Sequence, residues 1–409
     1  VSDAVPPLPD ELASPADPAD PALQPPDPAR VPLDPAVAED AAKLAGIFRW
    51  LAEVEFPGYS PLYEHLALRI ADEPWIPALI SRHNRSSFAA VLFLDCVREL
   101  TLDDPDLPLA RRYDEIVAGA DPLTPDPWPL FRQVVVAHQA ELATLLATRA
   151  IQTNEVGRSA ALFPAFEAVS RRFARPLALI EIGCSAGLNL YFDRFHIDYG
   201  TAGSVGPADS PVHLSCALHG SLRPPLPARA PGVASRLGID INPVDVTDPI
   251  ATRWLEACIW PDVPHRLERL RAAIALVRLD PPEVRRGNAV ELVAEAILAV
   301  PDDAVACLDS TWVLAYLSDD ERADLHRLLD ELGADRSIAY VTAEYPGNVP
   351  WLPESPRPSE VSDHTAPTLL GLGLWDHGRT DHRCLAWMPP HGQWLEWLDS
   401  ASGSPSPPA

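Results

Sequence analysis

Lysine is nearly missing from this 409-residue chain: Lys43 is the only one, and Met388 is the only methionine. Arginine carries the positive charge, and Lys plus Arg number 32 against 58 for Asp plus Glu, a formal net charge of -26. Such a surface repels phosphate, so nucleic acid is excluded as a partner. No apolar run reaches the length of a membrane helix, and the first residues lack a basic-then-apolar leader, so neither a membrane span nor a secretory signal is expected. The six cysteines, Cys96, Cys184, Cys216, Cys258, Cys307 and Cys384, show no C-x-x-C spacing. No metal site is expected, and a reduced, cytoplasmic protein is the simplest reading.

Proline, by contrast, is abundant at 47 residues. Many of these crowd residues 1–40 with Asp and Glu, where Arg30 is the only cation. Such a segment buries too little apolar surface to offset its ordering entropy, which predicts a disordered acidic tail. A second short tail is expected at 401–409. From residue 41 to 175 the apolar spacing is helical: Ile47, Phe48, Leu51 and Val54 share one face, Leu62, Leu66 and Ile70 another. The stretches 88–100 and 134–151 read as longer core helices, and no strand is expected before Leu177.

Residues 176–400 read as strands alternating with helices. The expected strands are 177–182, 233–241, 284–286, 304–308 and 337–342, and a terminal antiparallel hairpin flanks the turn at 376–379. This predicts an α/β fold: a Rossmann-like, methyltransferase-like sheet, mostly parallel with one reversed strand, preceded by an all-helical domain. The stretch Ala178–Phe195 is the richest in chemistry, an apolar strand, a turn built on Gly183 and Gly187, and an expected amphipathic helix. Glu181, charged inside the apolar strand, needs a partner.

Glu181-Ile182-Gly183-Cys184-Ser185-Ala186-Gly187 is similar to the first motif of class I S-adenosylmethionine-dependent methyltransferases, with Ser185 at the middle glycine. The same five residues from Gly183 also spell the G-x-S-x-G elbow of serine esterases. The helical character upstream and the lack of a glycine-rich oxyanion loop favour the first alternative. S-adenosylmethionine is then the expected cofactor and a small molecule the expected substrate; the oligomeric state is not legible. The cofactor candidates are Glu181, Gly183, Ser185, Gly187 and Asn189 around the turn, with Asp240 after the second strand to hold ribose hydroxyls. Asp240 lies farther on than the usual spacing of about 20 residues, so residues 196–229 must be an insertion; capping a turn at Asn242 is its other reading. Asn288, in Gly287-Asn288-Ala289, is placed to meet adenine or to cap a helix. Asn154 and Arg158, in the polar run 153–159, share one side of an expected helical turn with Glu155 and are candidates to close over the cofactor. Asp309, at the end of the fourth strand, and His391, after the hairpin, are the catalytic candidates. Trp312 and Tyr316 could face a cation through their rings, and Glu344 lies at the crevice edge.

Six segments in fixed order carry a wider resemblance: SPLYEHLA at 60–67, TNEVGRSAAL at 153–162, EIGCSAGLNL at 181–190, RLGIDINPVDVTDP at 236–249, WPD at 260–262 and HGQWLEW at 391–397. Together they resemble the bacterial family catalogued as domain of unknown function 2332, over nearly the whole chain after the tail. The resemblance implies a histidine where this chain has Asp309 and an aspartate where it has Asn288.

Overall fold

The computed structural model describes residues 35–86, 88–227, 229–355, 358 and 368–399. The acidic segment before residue 35 and the tail at 401–409 lie outside the described residues. The first helix, α1 (Pro35–Trp50), starts inside the stretch expected to be a tail. It is followed by α2 (Pro61–Ala71), α3 (Trp75–His83), α4 (Ala89–Asp103), α5 (Pro108–Val117), α6 (Trp128–Ala137) and α7 (Gln139–Thr148). These bury one apolar core that includes Phe48, Leu66, Ile70, Phe93, Val97 and Phe131. The single helix expected at 134–151 is two: His138 leaves the helical basin at φ -114°, and α6 and α7 each turn apolar side chains inward from different directions.

The start of α2 shows why two distant motifs occur together. Ser60 caps the helix by accepting from the Tyr63 N–H at 3.1 Å, and Pro61 occupies the first turn, where its missing N–H is harmless. Asp262 then accepts from the Ser60 hydroxyl at 2.8 Å and from the Leu62 N–H at 2.9 Å. Trp260 packs its ring among Phe56, Tyr59 and Tyr63 at 4.9, 5.2 and 5.1 Å. The WPD segment is therefore the external half of an N-cap.

Helix α8 (Ser159–Phe173) leads into β1 (Leu177–Ile182), the first strand among the described residues. The expected amphipathic helix after the glycine turn is absent. In its place is a 3-10 segment, Asn189–Arg194, broken at Tyr191 (φ -103°, ψ 20°). A regular helix needs a solvent face, but Leu188, Asn189, Leu190, Tyr191 and Phe192 are all buried. Phe192 meets Phe163 and Phe166 of α8 at 5.7 and 4.5 Å. The inserted segment then forms β2 (His196–Asp198), β3 (Ser204–Val205) and β4 (His213–Ser215), a small separate sheet, and β5 (Ala217–His219).

The remaining elements are β6 (Val233–Asp240), α9 (Pro249–Ala257), α10 (Pro264–Val277), β7 (Glu283–Arg286), α11 (Ala289–Leu298), β8 (Val305–Thr311), α12 (Asp319–Gly333), β9 (Ser337–Glu344), β10 (Thr368–Asp376), β11 (Arg379–Met388) and β12 (Trp394–Trp397). The main sheet runs β5-β12-β11-β10-β9-β8-β1-β6-β7. Strands β7, β6, β1, β8 and β9 are parallel, an order of 3-2-1-4-5 that is one of the doubly wound arrangements. Three strands rather than one are reversed: β10, β12 and β5. The alternation of β-strands sorts the core into two layers. Leu177, Leu179, Val305 and Cys307 face α8 and α10, whereas Ala178, Ile180, Ala306 and Leu308 face α11 and α12.

Candidate functional site

The chain leaves β1 toward β6 and β7 on one side and returns at β8 on the other, so the strand order reverses between β1 and β8. Crevices for ligands open beyond the carboxyl ends of strands at such a point. Glu181 and Asp309 stand directly opposite each other there, in register on β1 and β8. Both belong to the odd-numbered face and are buried. Burial raises the Glu181 carboxyl well above its usual range, and the neighbouring Asp309 raises it further; burial likewise raises Asp309. Two adjacent buried carboxyls cannot both ionise at low cost, so each works against ionisation of the other. The sequence placed Asp309 beyond its strand; it lies inside β8, which continues to Thr311.

Asn189 works against the rise at Glu181. Its orientation is set by Ser159, whose hydroxyl donates to Asn189 Oδ1 at 2.7 Å. Glu181 Oε2 is buried with no partner among the described residues.

The glycine turn takes left-handed backbone at Gly183 (φ 69°), Ser185 (φ 53°) and Gly187 (φ 67°). Space, as well as backbone freedom, demands a glycine at 183, because an added methyl would run into the Val313 side chain. The turn is laced to its surroundings. The Ser185 N–H donates to Asp240 Oδ2 at 2.7 Å, and the Asn242 N–H to Asp240 Oδ1 at 2.7 Å. Asp240 thus does cap the turn at Asn242 while also holding the glycine loop. The Ser185 hydroxyl donates to Gln152 Oε1 at 2.7 Å, and the Leu188 N–H to Asn154 Oδ1 at 3.1 Å.

The polar run 153–159 is not the single helical face expected. It is extended through Glu155 and then a 3-10 turn, Val156–Arg158, because its side chains reach in three directions. Asn154 goes to the glycine turn. Glu155 Oε2 accepts from Arg266 Nε at 2.6 Å, and Oε1 from the Gly157 N–H at 2.9 Å and Arg269 at 3.2 Å. Arg158 donates to the Thr311 carbonyl and hydroxyl at 3.2 and 3.1 Å and to the Pro390 carbonyl at 2.8 Å. Despite the desolvation that opposes ionisation, Arg266, His391 and Arg269 together hold the Glu155 carboxyl down at about 2.

His391 joins this network. Its ring stacks on Tyr59 with centroids 5.4 Å apart and 15° between planes, and its Nδ1 is 3.5 Å from Glu155 Oε2. Burial and the positive charge of Arg266 push the imidazole down to about 3, against the upward pull of Glu155. It is therefore neutral at physiological pH. Its partners are Tyr59 and Glu155, while Asp309 is paired with Glu181. Asn288 caps α11 by accepting from the Val290 N–H at 2.9 Å.

At the tips of β8 and β9 lies a group that sequence reasoning gave only a minor place. Glu344 Oε1 accepts from the Val313 and Leu314 N–H groups at 2.8 and 3.1 Å, while its Oε2 has no partner among the described residues. Burial raises its carboxyl to about 7, although both backbone donors and Arg158 act downward. Trp312 adopts φ 62° and meets Tyr345 edge-on at 4.5 Å. Tyr316, the other ring offered for a cation, is 63% exposed.

Fold and site thus define an α/β protein with a doubly wound sheet whose strand order reverses between β1 and β8, where Glu181 and Asp309 stand opposite each other. The profile of the family described as "Uncharacterized protein conserved in bacteria (DUF2332)" matches residues 45–397. The chain belongs to that family. A search of curated proteins finds no match. All six cysteines are free, and no helix among the described residues is long and apolar enough to cross a membrane.

Proposed function

We propose that this chain is an S-adenosylmethionine-dependent methyltransferase acting on a small molecule. The reading is carried by one observation: Glu181 and Asp309 lie side by side at the switch point, next to a left-handed glycine turn. The residues present fit the cofactor on two counts. Glu181 Oε2 is a buried acceptor lacking a donor among the described residues. Each Asp240 oxygen accepts one backbone N–H and retains a lone pair for ribose hydroxyls. Val313 must leave Gly183 before any ligand approaches that backbone, so binding is expected to displace the segment that follows β8.

The cofactor would supply a methyl group already activated on sulfur. The chain's own contribution is to align the acceptor and exclude water, and positioning of this kind reaches roughly 7–11 kcal/mol in intramolecular reactions. The strained backbone of Ser185 also suits an esterase nucleophile. Against that reading, its hydroxyl donates to Gln152, and no described strand precedes β1.

Calorimetric titration with S-adenosylhomocysteine tests the proposal. Binding that weakens in Glu181→Gln supports it, and no heat at millimolar ligand sinks it. Labelling of Ser185 by a fluorophosphonate would favour the esterase. Nucleoside binding without transfer to any acceptor would leave a non-catalytic nucleoside-binding protein.

A further inference from the structure

On the face of the sheet that α11 and α12 cover, five rings pack into one continuous cluster. His326 of α12 lies 5.0 Å from Trp351, 5.9 Å from Trp375 and 5.5 Å from His382 between ring centroids. His382 of β11 is in turn 5.1 Å from Trp375, and Trp351 lies 6.3 Å from Tyr340. His382 pairs across the sheet with Gly373, whose missing side chain leaves the Trp375 ring room beside the imidazole. Cysteine spacing gave no sign of a metal site in this chain, but two histidines brought together from a helix and a strand leave no spacing to read.

Each of the two imidazoles has one nitrogen held and the other bare. His326 Nδ1 lies 3.4 Å from Asp330 Oδ2, one turn further along α12, while Asp330 Oδ1 accepts from the Trp375 indole N–H at 2.7 Å. His382 donates to the Trp351 backbone carbonyl; its Nε2 has no partner among the described residues, so this bond belongs to Nδ1. His326 Nε2 is likewise buried with no partner among the described residues. A carboxylate or carbonyl beside Nδ1 keeps the proton there and leaves Nε2 as a lone pair. Histidines that ligate metals are oriented in this way. Two imidazoles on one tetrahedral ion have ring centres roughly 5 Å apart, and those of His326 and His382 are 5.5 Å apart. Nitrogen donors of this kind select zinc, nickel or copper over magnesium and calcium, which take oxygen.

A cleft of about 490 Å³ opens beside the cluster, lined by Asp319, Arg322, His326, Arg327, Asp330 and Trp351. Its two arginines are already engaged, Arg322 with the Leu314 and Leu317 carbonyls and Asp319, and Arg327 with Asp324. Among the described residues no group of three His, Cys, Asp or Glu side chains could hold an ion, so two ligands come from the protein and water from the cleft supplies the rest. We infer that His326 and His382 bind one divalent ion of the zinc, nickel or copper class through their Nε2 atoms, clamping α12 to β11 across β10. The site lies on the opposite face of the sheet from Glu181 and Asp309 and does not depend on the methyltransferase reading.

The test is calorimetry of the full chain, freed of metal by a chelator, with zinc chloride. Zn²⁺ is expected to bind and to raise the thermal unfolding midpoint, whereas Mg²⁺ at the same concentration does neither. His326→Gln and His382→Gln are each expected to weaken Zn²⁺ about tenfold or more, and Asp330→Asn, which leaves one of its two donors facing an amide N–H, by about tenfold. His196→Gln, at another histidine pair with centroids 5.2 Å apart, is expected to change nothing. Electron paramagnetic resonance of bound Cu²⁺ reads the ligands in the wild-type chain, so the test survives a variant that fails to fold: coupling to two nitrogens is expected. No Zn²⁺ binding, affinity undiminished in either histidine variant, an equal loss in His196→Gln, or a Cu²⁺ signal without two nitrogens would overturn the site and leave the cluster as packing alone.

Discussion

Replacing Glu155 with Gln removes one charge from a buried carboxylate that two arginines and a backbone N–H hold. Glu155 is 3% exposed and serves Arg266, Arg269 and the Gly157 N–H. Moving a carboxyl from its ordinary 4.5 down to about 2 in the folded state corresponds to about 3 kcal/mol of stability. Breaking a buried ion pair from one side costs a comparable 3–5 kcal/mol or so, because the remaining guanidinium is left without its counter-charge. The sign follows from the direction of the shift. The contribution is complete above pH 4.5 and is lost as pH falls through about 2, so wild type sheds it in that window and Glu155→Gln has none to shed. Urea unfolding at pH 7 should show the variant about 3 kcal/mol less stable, and the difference should narrow in acid below pH 4.5. A difference below about 0.5 kcal/mol at pH 7, or a gap that does not shrink in acid, would refute this account of the network.

Glu344 predicts the opposite slope. Its carboxyl is raised to about 7, so the destabilisation it imposes grows as pH rises from 4.5 through 7; Glu344→Gln should gain up to about 3 kcal/mol at pH 8 and little at pH 4, read by urea unfolding at both. Gly183→Ala drives a methyl into Val313 at a left-handed residue and should cost about 1–3 kcal/mol beyond the backbone strain. Adding Val313→Ala should recover the steric part, giving a double-mutant coupling near 1 kcal/mol or more, whereas simple additivity would show that the two do not touch in solution. Ser60→Ala removes the α2 cap and a donor to Asp262 and should lose about 1 kcal/mol by the same measurement.

The parallel strands were legible because short apolar runs such as 177–182, 304–308 and 337–342, separated by helical periodicity, leave few other readings. Glu181 stood out for a simple reason: a charge inside LALIEI has no local way to be satisfied. The break after the glycine turn was not legible, since Leu188 to Phe192 show apolar residues without revealing that every side of the segment is covered. Strands β2 to β5 escaped notice for a similar reason; each is two or three residues long, too short to show an alternation, and β5 pairs with β12 far away in sequence. The spacing of Asn154, Glu155 and Arg158 fits a helix turn and conceals that each reaches toward a different element. Glu344 gave almost no signal, because its role depends on β8 delivering two backbone N–H groups beside it.

One arrangement constrains how the molecule comes into being. Gly392 approaches the Gly157 carbonyl so closely that neither residue tolerates a side chain, and Arg158 grips the Pro390 carbonyl beyond β11. β12 also pairs with β5, formed some 180 residues earlier. On the ribosome the helices can mature as they emerge, but the strap over the 157–158 turn forms only once β11 and β12 have been made. Until β11 and β12 are in place, Arg158, which also holds Thr311 at the end of β8, lacks its Pro390 partner.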